Sequence, residues 1–174
     1  MENFINALES AIENQNWYGA LFIALSIPDI CGYLETPNDG SQARYERWFE
    51  EYMLERYSSK IGPDGTPHTF LSPSDCYALR CALLHEGREE IIEQQAREAL
   101  DRFHFIEPPS EGFSIHCNQI NNVLQLQTDI FCSDILAGLN NWCNAIKDRA
   151  EVEERINNNL KVYPSNEIPG LIKK

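Results

Sequence analysis

The sequence predicts a mainly α-helical protein, a bundle of four to five helices with a small β-hairpin inserted near residues 102–117. Apolar side chains recur at helical spacing over most of the chain, and turn-forming residues divide it into segments of helix length. Alternation of apolar and polar residues is confined to the region near residues 102–117. A chain of 174 residues fits one domain, so we expect a single domain over residues 1–174, with a loosely held tail from 163 to 174.

The first part of the chain contains three predicted helices. The second is apolar on nearly all sides, which is typical of a central, buried helix. Pro28 should kink this helix because proline removes a backbone donor. Two stretches rich in glycine and proline are expected to be loops. The predicted helices cover residues 2–14, 17–34 and 42–57, and the loops cover residues 36–41 and 61–67.

The fourth predicted helix has the clearest start signal in the chain. Ser72 is suited to cap it, Pro73 suits the first helical position, and Asp75 completes a capping box. We expect the helix to run to about His85, with Gly87 as the stop signal.

The second half of the chain is expected to contain a hairpin between helical segments. Residues 88–100 suit a short charged helix. Alternating residues at 102–106 and 112–117 flank a proline-rich connection, which suggests a β-hairpin. Residues 121–159 then predict one long final helix, whose length favours a bundle member or a dimerisation helix.

The charge of the chain limits the classes of partner. The formal net charge is −13, from 14 Lys and Arg against 27 Asp and Glu. Binding nucleic acid by bulk electrostatics requires clustered Lys and Arg, so an RNA substrate would have to be engaged locally. Solubility is the simpler explanation of this charge.

Three features point to the cytoplasm. The start of the chain has an early acidic residue and lacks the basic region and apolar run of a signal peptide. No stretch reaches 18 uninterrupted apolar residues, so we expect no membrane span. The six cysteines lie far apart without a C-x-x-C pair, which is typical of reduced, buried thiols.

The candidate chemical site is the segment from Arg80 to His85. Arg80 lies among Leu, Cys and Ala, and a buried charge requires a partner. Asp29, behind Pro28 in the buried second helix, is the natural candidate for that partner. Residues five apart on a straight helix are separated by about 140°, so Arg80 and His85 do not share a face automatically. They converge if the helix ends near Gly87 or if a second subunit completes the pocket.

The Arg-x-x-x-x-His pattern at the end of a bundle helix resembles the R-x4–6-H signature of the HEPN superfamily of small helical-bundle proteins. The surrounding residues 72–87 (SPSDCYALRCALLHEG) are similar to an uncharacterised bacterial and mobile-element branch with an HEPN-like bundle. The signature covers only six residues. In many HEPN ribonucleases a polar Asn, Asp or His follows the arginine, whereas here Cys81 takes that position.

The resemblance implies metal-independent RNA cleavage by a homodimer, in a phage-defence or toxin–antitoxin setting that includes an antitoxin or other protein partner. His85 would be the general base on a ribose 2′-hydroxyl, and Arg80 would bind the scissile phosphate. Asp29 would orient Arg80. Tyr77, one turn before Arg80, would stack on a base or donate to a phosphate, although core packing is the commoner role of such a tyrosine.

A structural role for the same residues stays open. Arg80 would then join two helices through an acidic partner, and the protein would be a catalytically inactive interaction or dimerisation module. We expect no cofactor and no metal, because the spacing of His104, His116 and Cys117 matches no zinc pattern. The chain also lacks a glycine-rich phosphate loop, a nucleophile elbow and an H-E-x-x-H motif.

Overall fold

The computed structural model describes residues 1–91, 98–110, 112–159 and 161–164. Within these residues the chain is mainly helical and carries two small sheets, which confirms the helix-dominated class. The helices are α1 (Glu2–Glu13), α2 (Trp17–Glu35), α3 (Ser41–Tyr52), α4 (Pro73–Cys81), α5 (Thr128–Ala145) and α6 (Ala150–Asn157). The strands are β1 (Ser58–Ile61), β2 (Thr66–Thr69), β3 (Arg102–Ile106), β4 (Asn118–Ile120) and β5 (Val123–Gln127).

Helix α2 is the central helix of the fold, as its apolar composition predicts. It packs against α1, α3, α5 and α6, and its residues Ala24, Leu25, Ile27 and Cys31 are fully buried. The helix continues through Pro28. Because α2 occupies the centre, an acid on its surface-facing side is placed within reach of neighbouring helices.

Helix α2 is also the one described helix that is long and apolar enough to cross a membrane. The mean hydropathy of its most apolar 18-residue stretch is 1.3, and half of that stretch is buried inside the fold. A core helix of a soluble protein has the same properties, and the packing of α2 against four other helices is compatible with that interpretation.

The hairpin predicted near residues 102–117 is wrong. Residues 102–106 do form a strand, β3, but β3 pairs in parallel with β5 and not with residues 112–117, whose described positions form no strand. The register joins Phe103 to Leu124 and Phe105 to Leu126, and three of these four side chains are fully buried. Burial of these apolar side chains therefore favours β5 as the partner of β3.

The single long helix predicted over residues 121–159 is also wrong. Its first part is strand β5, which pairs in antiparallel fashion with β4 through a two-residue turn at Asn121 and Asn122. Asn121 has φ +54°, the left-handed conformation that tight hairpin turns require. The helical remainder is divided into α5 and α6, which are separated by residues 146–149.

Three other predicted segments also differ from the structure. The loop at residues 61–67 is the turn region of an unpredicted antiparallel hairpin, β1–β2. The third helix ends earlier than predicted, at Tyr52, and Leu54–Tyr57 form a 3-10 turn. In the predicted helix at 88–100, the described residues are not helical, and residues 92–97 lie outside the described residues, as do residues 165–174 of the predicted tail.

Candidate functional site

Ser72 caps the start of α4, as predicted. The Ser72 hydroxyl oxygen accepts a hydrogen bond from the backbone N–H of Asp75 at 3.1 Å and donates to the Asp75 carboxylate at 2.9 Å. Pro73 occupies the first helical position. This cap fixes the direction of the helix that carries Arg80.

Asp75 also anchors the chain that passes over α4. Its carboxylate is 2% exposed and accepts hydrogen bonds from the backbone N–H groups of Glu98, Ala99 and Leu100 at 2.8 to 3.2 Å. A buried carboxylate satisfied by three backbone donors has a structural role. The predicted capping box is therefore only half formed: Ser72 caps the helix, whereas the Asp75 carboxylate accepts from the Ser72 hydroxyl and from residues 98–100 instead of from the Ser72 backbone N–H.

The end of α4 explains how Arg80 and His85 come together. After Cys81 the helix widens into a π turn, Ala82–Glu86, which ends at Gly87 with φ +66°. A π turn joins residue i to residue i+5, so residues five apart approach one another more closely than on a straight α-helix. The predicted stop at Gly87 is confirmed, and the local widening supplies the convergence that α-helical geometry alone does not.

Arg80 and Asp29 form the predicted ion pair. The Nε atom of Arg80 donates to Oδ2 of Asp29 at 2.5 Å, and the two side chains are 19% and 18% exposed. Burial raises the pKa of Asp29, and the positive charge of Arg80 opposes this shift without cancelling it. The pair joins α4 to α2 and fixes one edge of the guanidinium group.

The other edge of the Arg80 guanidinium faces His85. Nη1 of Arg80 lies 2.9 Å from Nε2 of His85, and His85 is exposed. A guanidinium carries only donors, so Nε2 must be the acceptor. The contact therefore requires a neutral imidazole with its proton on Nδ1.

Tyr77 and Cys81 complete the surroundings of Arg80. The ring centre of Tyr77 lies 5.9 Å from the guanidinium carbon, and the Tyr77 hydroxyl is 3.2 Å from that of Ser41 on α3. The Cys81 sulfur lies 3.8 Å from Nη1 of Arg80. We call Asp29, Tyr77, Arg80 and His85 the Arg80 cluster; the structure brings all four of these predicted residues together.

The charge around the Arg80 cluster is balanced. The positive charge of Arg80 is matched by Asp29, and Glu86 beside His85 is paired with Arg88. A cleft of about 330 Å³ lies next to the π turn, but its lining includes Leu83 and Gly87 and not Arg80 or His85. The Arg80 cluster is thus a surface site with an exposed imidazole.

A second polar cluster escaped the sequence analysis. The Asp134 carboxylate on α5 accepts hydrogen bonds from Arg56 Nη1 at 3.0 Å and from the Tyr57 hydroxyl at 3.2 Å. Nε2 of His116 lies 3.9 Å from the same carboxylate, and the His116 side chain is 14% exposed. We call these four residues the Asp134 cluster. Its members are up to 78 residues apart in the chain, so no local motif could have indicated it.

Cys117, next to His116, lacks the surroundings that activate a cysteine as a nucleophile. Burial, reinforced by the charge of Asp134, raises the pKa of its thiol to about 11. A reactive cysteine requires a lowered pKa. Within the described residues, no three His, Cys, Asp or Glu side chains are grouped so that they could hold a metal ion.

Comparisons of the chain with protein-family models, with curated proteins and with solved structures gave no match. The resemblance to the HEPN superfamily therefore rests on residues 72–87 of the sequence alone.

Proposed function

We propose that the protein is an HEPN-like, metal-independent endoribonuclease that acts in the cytoplasm as a homodimer, with Arg80 and His85 in its active site. The observation that carries this proposal is the 2.9 Å contact between Arg80 Nη1 and His85 Nε2 at the exposed end of α4. RNA cleavage at the ribose needs a base for the 2′-hydroxyl proton and a cation for the phosphate. An imidazole and a guanidinium side by side provide both.

The proposed reaction is an internal transfer within the RNA. Nε2 of His85 removes the proton from a 2′-hydroxyl, the 2′-oxygen bonds to phosphorus, and the bond between phosphorus and the 5′-oxygen breaks. The products are a 2′,3′-cyclic phosphate and a 5′-hydroxyl that receives its proton from water; the hydroxide left behind takes the proton from His85 and restores the neutral imidazole. Arg80 donates to the phosphate oxygens, where negative charge increases in the transition state.

Substrate binding would release the base from its contact in the free protein. The lone pair of His85 Nε2 accepts from Arg80, so it is occupied until another acceptor takes the Arg80 N–H. A phosphate oxygen is a stronger acceptor for guanidinium than a neutral imidazole is, because it is charged. Asp29 would hold Nε of Arg80 during this exchange, which makes Asp29 a positioning residue.

The homodimer follows from the HEPN resemblance, and the exposed surface of α2 beside Asp29 leaves room for a second copy. Tyr33, one helical turn after Asp29 on α2, is 52% exposed. A second copy that covered this part of α2 would bring a second Arg80 and His85 close to the first pair, as the HEPN resemblance implies.

The direct test is cleavage of a fluorescently labelled single-stranded RNA in the presence of a metal chelator. We expect the wild-type protein to cleave it and to leave 2′,3′-cyclic phosphate ends. His85→Ala should reduce the rate at least about 100-fold, the usual contribution of a general base, without changing the melting temperature. His104→Ala, which removes a histidine with a 37% exposed side chain from β3, is the matched control and should cleave like the wild type.

Equal cleavage by the wild type and His85→Ala would assign the activity to a contaminant and contradict the proposal. Sedimentation of the wild type as a monomer at micromolar concentration would contradict the composite dimeric site.

A second candidate function is a catalytically inactive interaction or dimerisation module. The Asp29–Arg80 ion pair favours it, because that pair neutralises the cation and joins two helices without any substrate. The net charge of −13 favours it as well, since it repels RNA. A dimer that cleaves none of a set of single-stranded and structured RNAs would support this module over the ribonuclease.

A further inference from the structure

A cleft of about 330 Å³ opens between the start of α2, the π turn and the sheet. Its volume is at the lower end of the range of ligand sites in proteins. Aromatic side chains form much of its wall, and two glutamates border it. The residues that matter for its chemistry are Trp17, Tyr18, Phe22, Phe105, Glu89 and Glu107.

Two of the aromatic side chains are unusually exposed. Tyr18 is 80% exposed and Phe22 is 46% exposed, and both lie on the outer side of α2. They are neighbours one turn apart, so together they form an apolar surface beside the cleft. Contiguous exposed apolar surface of this kind marks interaction sites.

The carboxylates give the cleft its charge. Glu107, which follows β3, is exposed and makes no hydrogen bond or ion pair to the part of the chain that the structure describes. Glu89 lies 3.9 Å from Arg102 and 3.8 Å from His104, so its charge is partly offset and Glu107 is the more available carboxylate. Two carboxylates beside aromatic rings favour a cation, because both the charges and the faces of the rings attract it.

We propose that this cleft binds an arginine or lysine side chain from a basic segment of a partner protein. The ring faces would contact the cationic group and its aliphatic stem, and Glu107 would supply the countercharge. The net charge of −13 would speed association with such a segment. A nucleic acid is disfavoured here because its phosphates would approach Glu89 and Glu107.

This inference is independent of the proposed ribonuclease activity. The cleft adjoins the π turn through Leu83 and Gly87 but does not include Arg80 or His85. A partner bound in the cleft would contact the segment that carries His85. The two proposals can still fail separately, because they rest on different side chains.

The test is fluorescence anisotropy with a labelled nonapeptide of alternating arginine and glycine, at low ionic strength. We expect the wild type to bind this peptide and not its glutamate counterpart. Glu107→Gln should weaken binding about fivefold, as expected for one partly exposed ion pair. Tyr18→Ala combined with Phe22→Ala should weaken it by about the same factor through lost cation–π contacts.

Two variants make the result specific. Glu153→Gln removes one exposed carboxylate from α6, a helix that contacts the end of α2 opposite the cleft, and should leave the affinity unchanged within twofold. His85→Ala should bind the peptide like the wild type, which separates this test from the cleavage assay.

Equal weakening by Glu107→Gln and Glu153→Gln would show that only the overall charge attracts the peptide, and would overturn the proposal. Displacement of the peptide by adenosine monophosphate would identify a nucleobase site instead. Binding of spermidine without binding of the peptide would assign the cleft to a small free cation, and would equally overturn a protein partner.

Discussion

The Arg80 cluster and the Asp134 cluster each combine an arginine, an aspartate and a histidine. They differ in which of these groups is central and contacts the others. In the Arg80 cluster the arginine is central and contacts Asp29 on one edge and His85 on the other. In the Asp134 cluster the aspartate is central and faces Arg56, Tyr57 and His116.

The central group of each cluster determines which protonation state of the histidine it favours. A central guanidinium only donates, so it requires a neutral His85, which is also exposed. A central carboxylate attracts a protonated His116, but the ring is 14% exposed and burial lowers its pKa despite the charges of Asp134 and Asp129. The Arg80 cluster therefore presents an imidazole to solvent, whereas the Asp134 cluster uses its imidazole in packing.

The largest effect on stability is expected from removing the central group of the Asp134 cluster. Asp134→Ala leaves the fully buried Tyr57 hydroxyl without its acceptor. An unsatisfied buried donor costs about 2 kcal/mol, while Arg56, with 43% of its side chain exposed, adds little. Urea unfolding should therefore give a free energy of unfolding about 2 kcal/mol below that of the wild type.

Asp148→Ala is the control for this measurement, because Asp148 is exposed on the connection between α5 and α6. It should stay within about 0.5 kcal/mol of the wild type. If Asp134→Ala were as stable as Asp148→Ala, the Asp134 cluster would have no part in stability, and the contrast between the two clusters would be lost.

A smaller effect should appear in the pH dependence of stability. Burial lowers the pKa of His116 in the folded protein below the ordinary histidine value of 6.5. Between those two pKa values the unfolded chain binds the proton more tightly, so this contribution to stability is present above pH 6.5 and is lost as the pH falls. His116→Gln should therefore lose less stability than the wild type between pH 7.5 and pH 5, measured by urea unfolding at each pH.

His104→Gln serves as the control for removing a histidine with a largely accessible side chain. Parallel stability curves for the wild type and His116→Gln would mean that His116 is free to take up a proton in the folded protein. That result would mean that His116 does not differ from His85 in the way that burial predicts.

The sequence allowed the Arg80 cluster to be predicted because its signals are local or chemically compelling. The cap at Ser72 and the stop at Gly87 place the start of α4 and the end of the π turn that continues it within a residue or two. A charge at Arg80 in an apolar helix requires an acid, and Asp29 is an acid in the most apolar helix. The π turn that brings His85 to Arg80 had no signal of its own in the sequence.

The missed parts depend on contacts between distant segments. The β1–β2 hairpin has almost entirely exposed strands, so no apolar alternation indicates it. The parallel pairing of β3 with β5 is set by burial of Phe103, Leu124 and Leu126 against the helices, which cannot be inferred from local spacing. Asn121 offered one signal, since asparagine tolerates the left-handed conformation that a two-residue hairpin turn requires.

The most direct test of the account is the protonation pattern of the His85 ring, measured by 15N NMR of the imidazole nitrogens at pH 8. The Arg80 contact predicts a neutral ring with its proton on Nδ1 and an unprotonated Nε2 that accepts a hydrogen bond. In Arg80→Ala the preference for the proton on Nδ1 should disappear. A ring protonated on Nε2 in the wild type would contradict the contact on which the proposed active site depends.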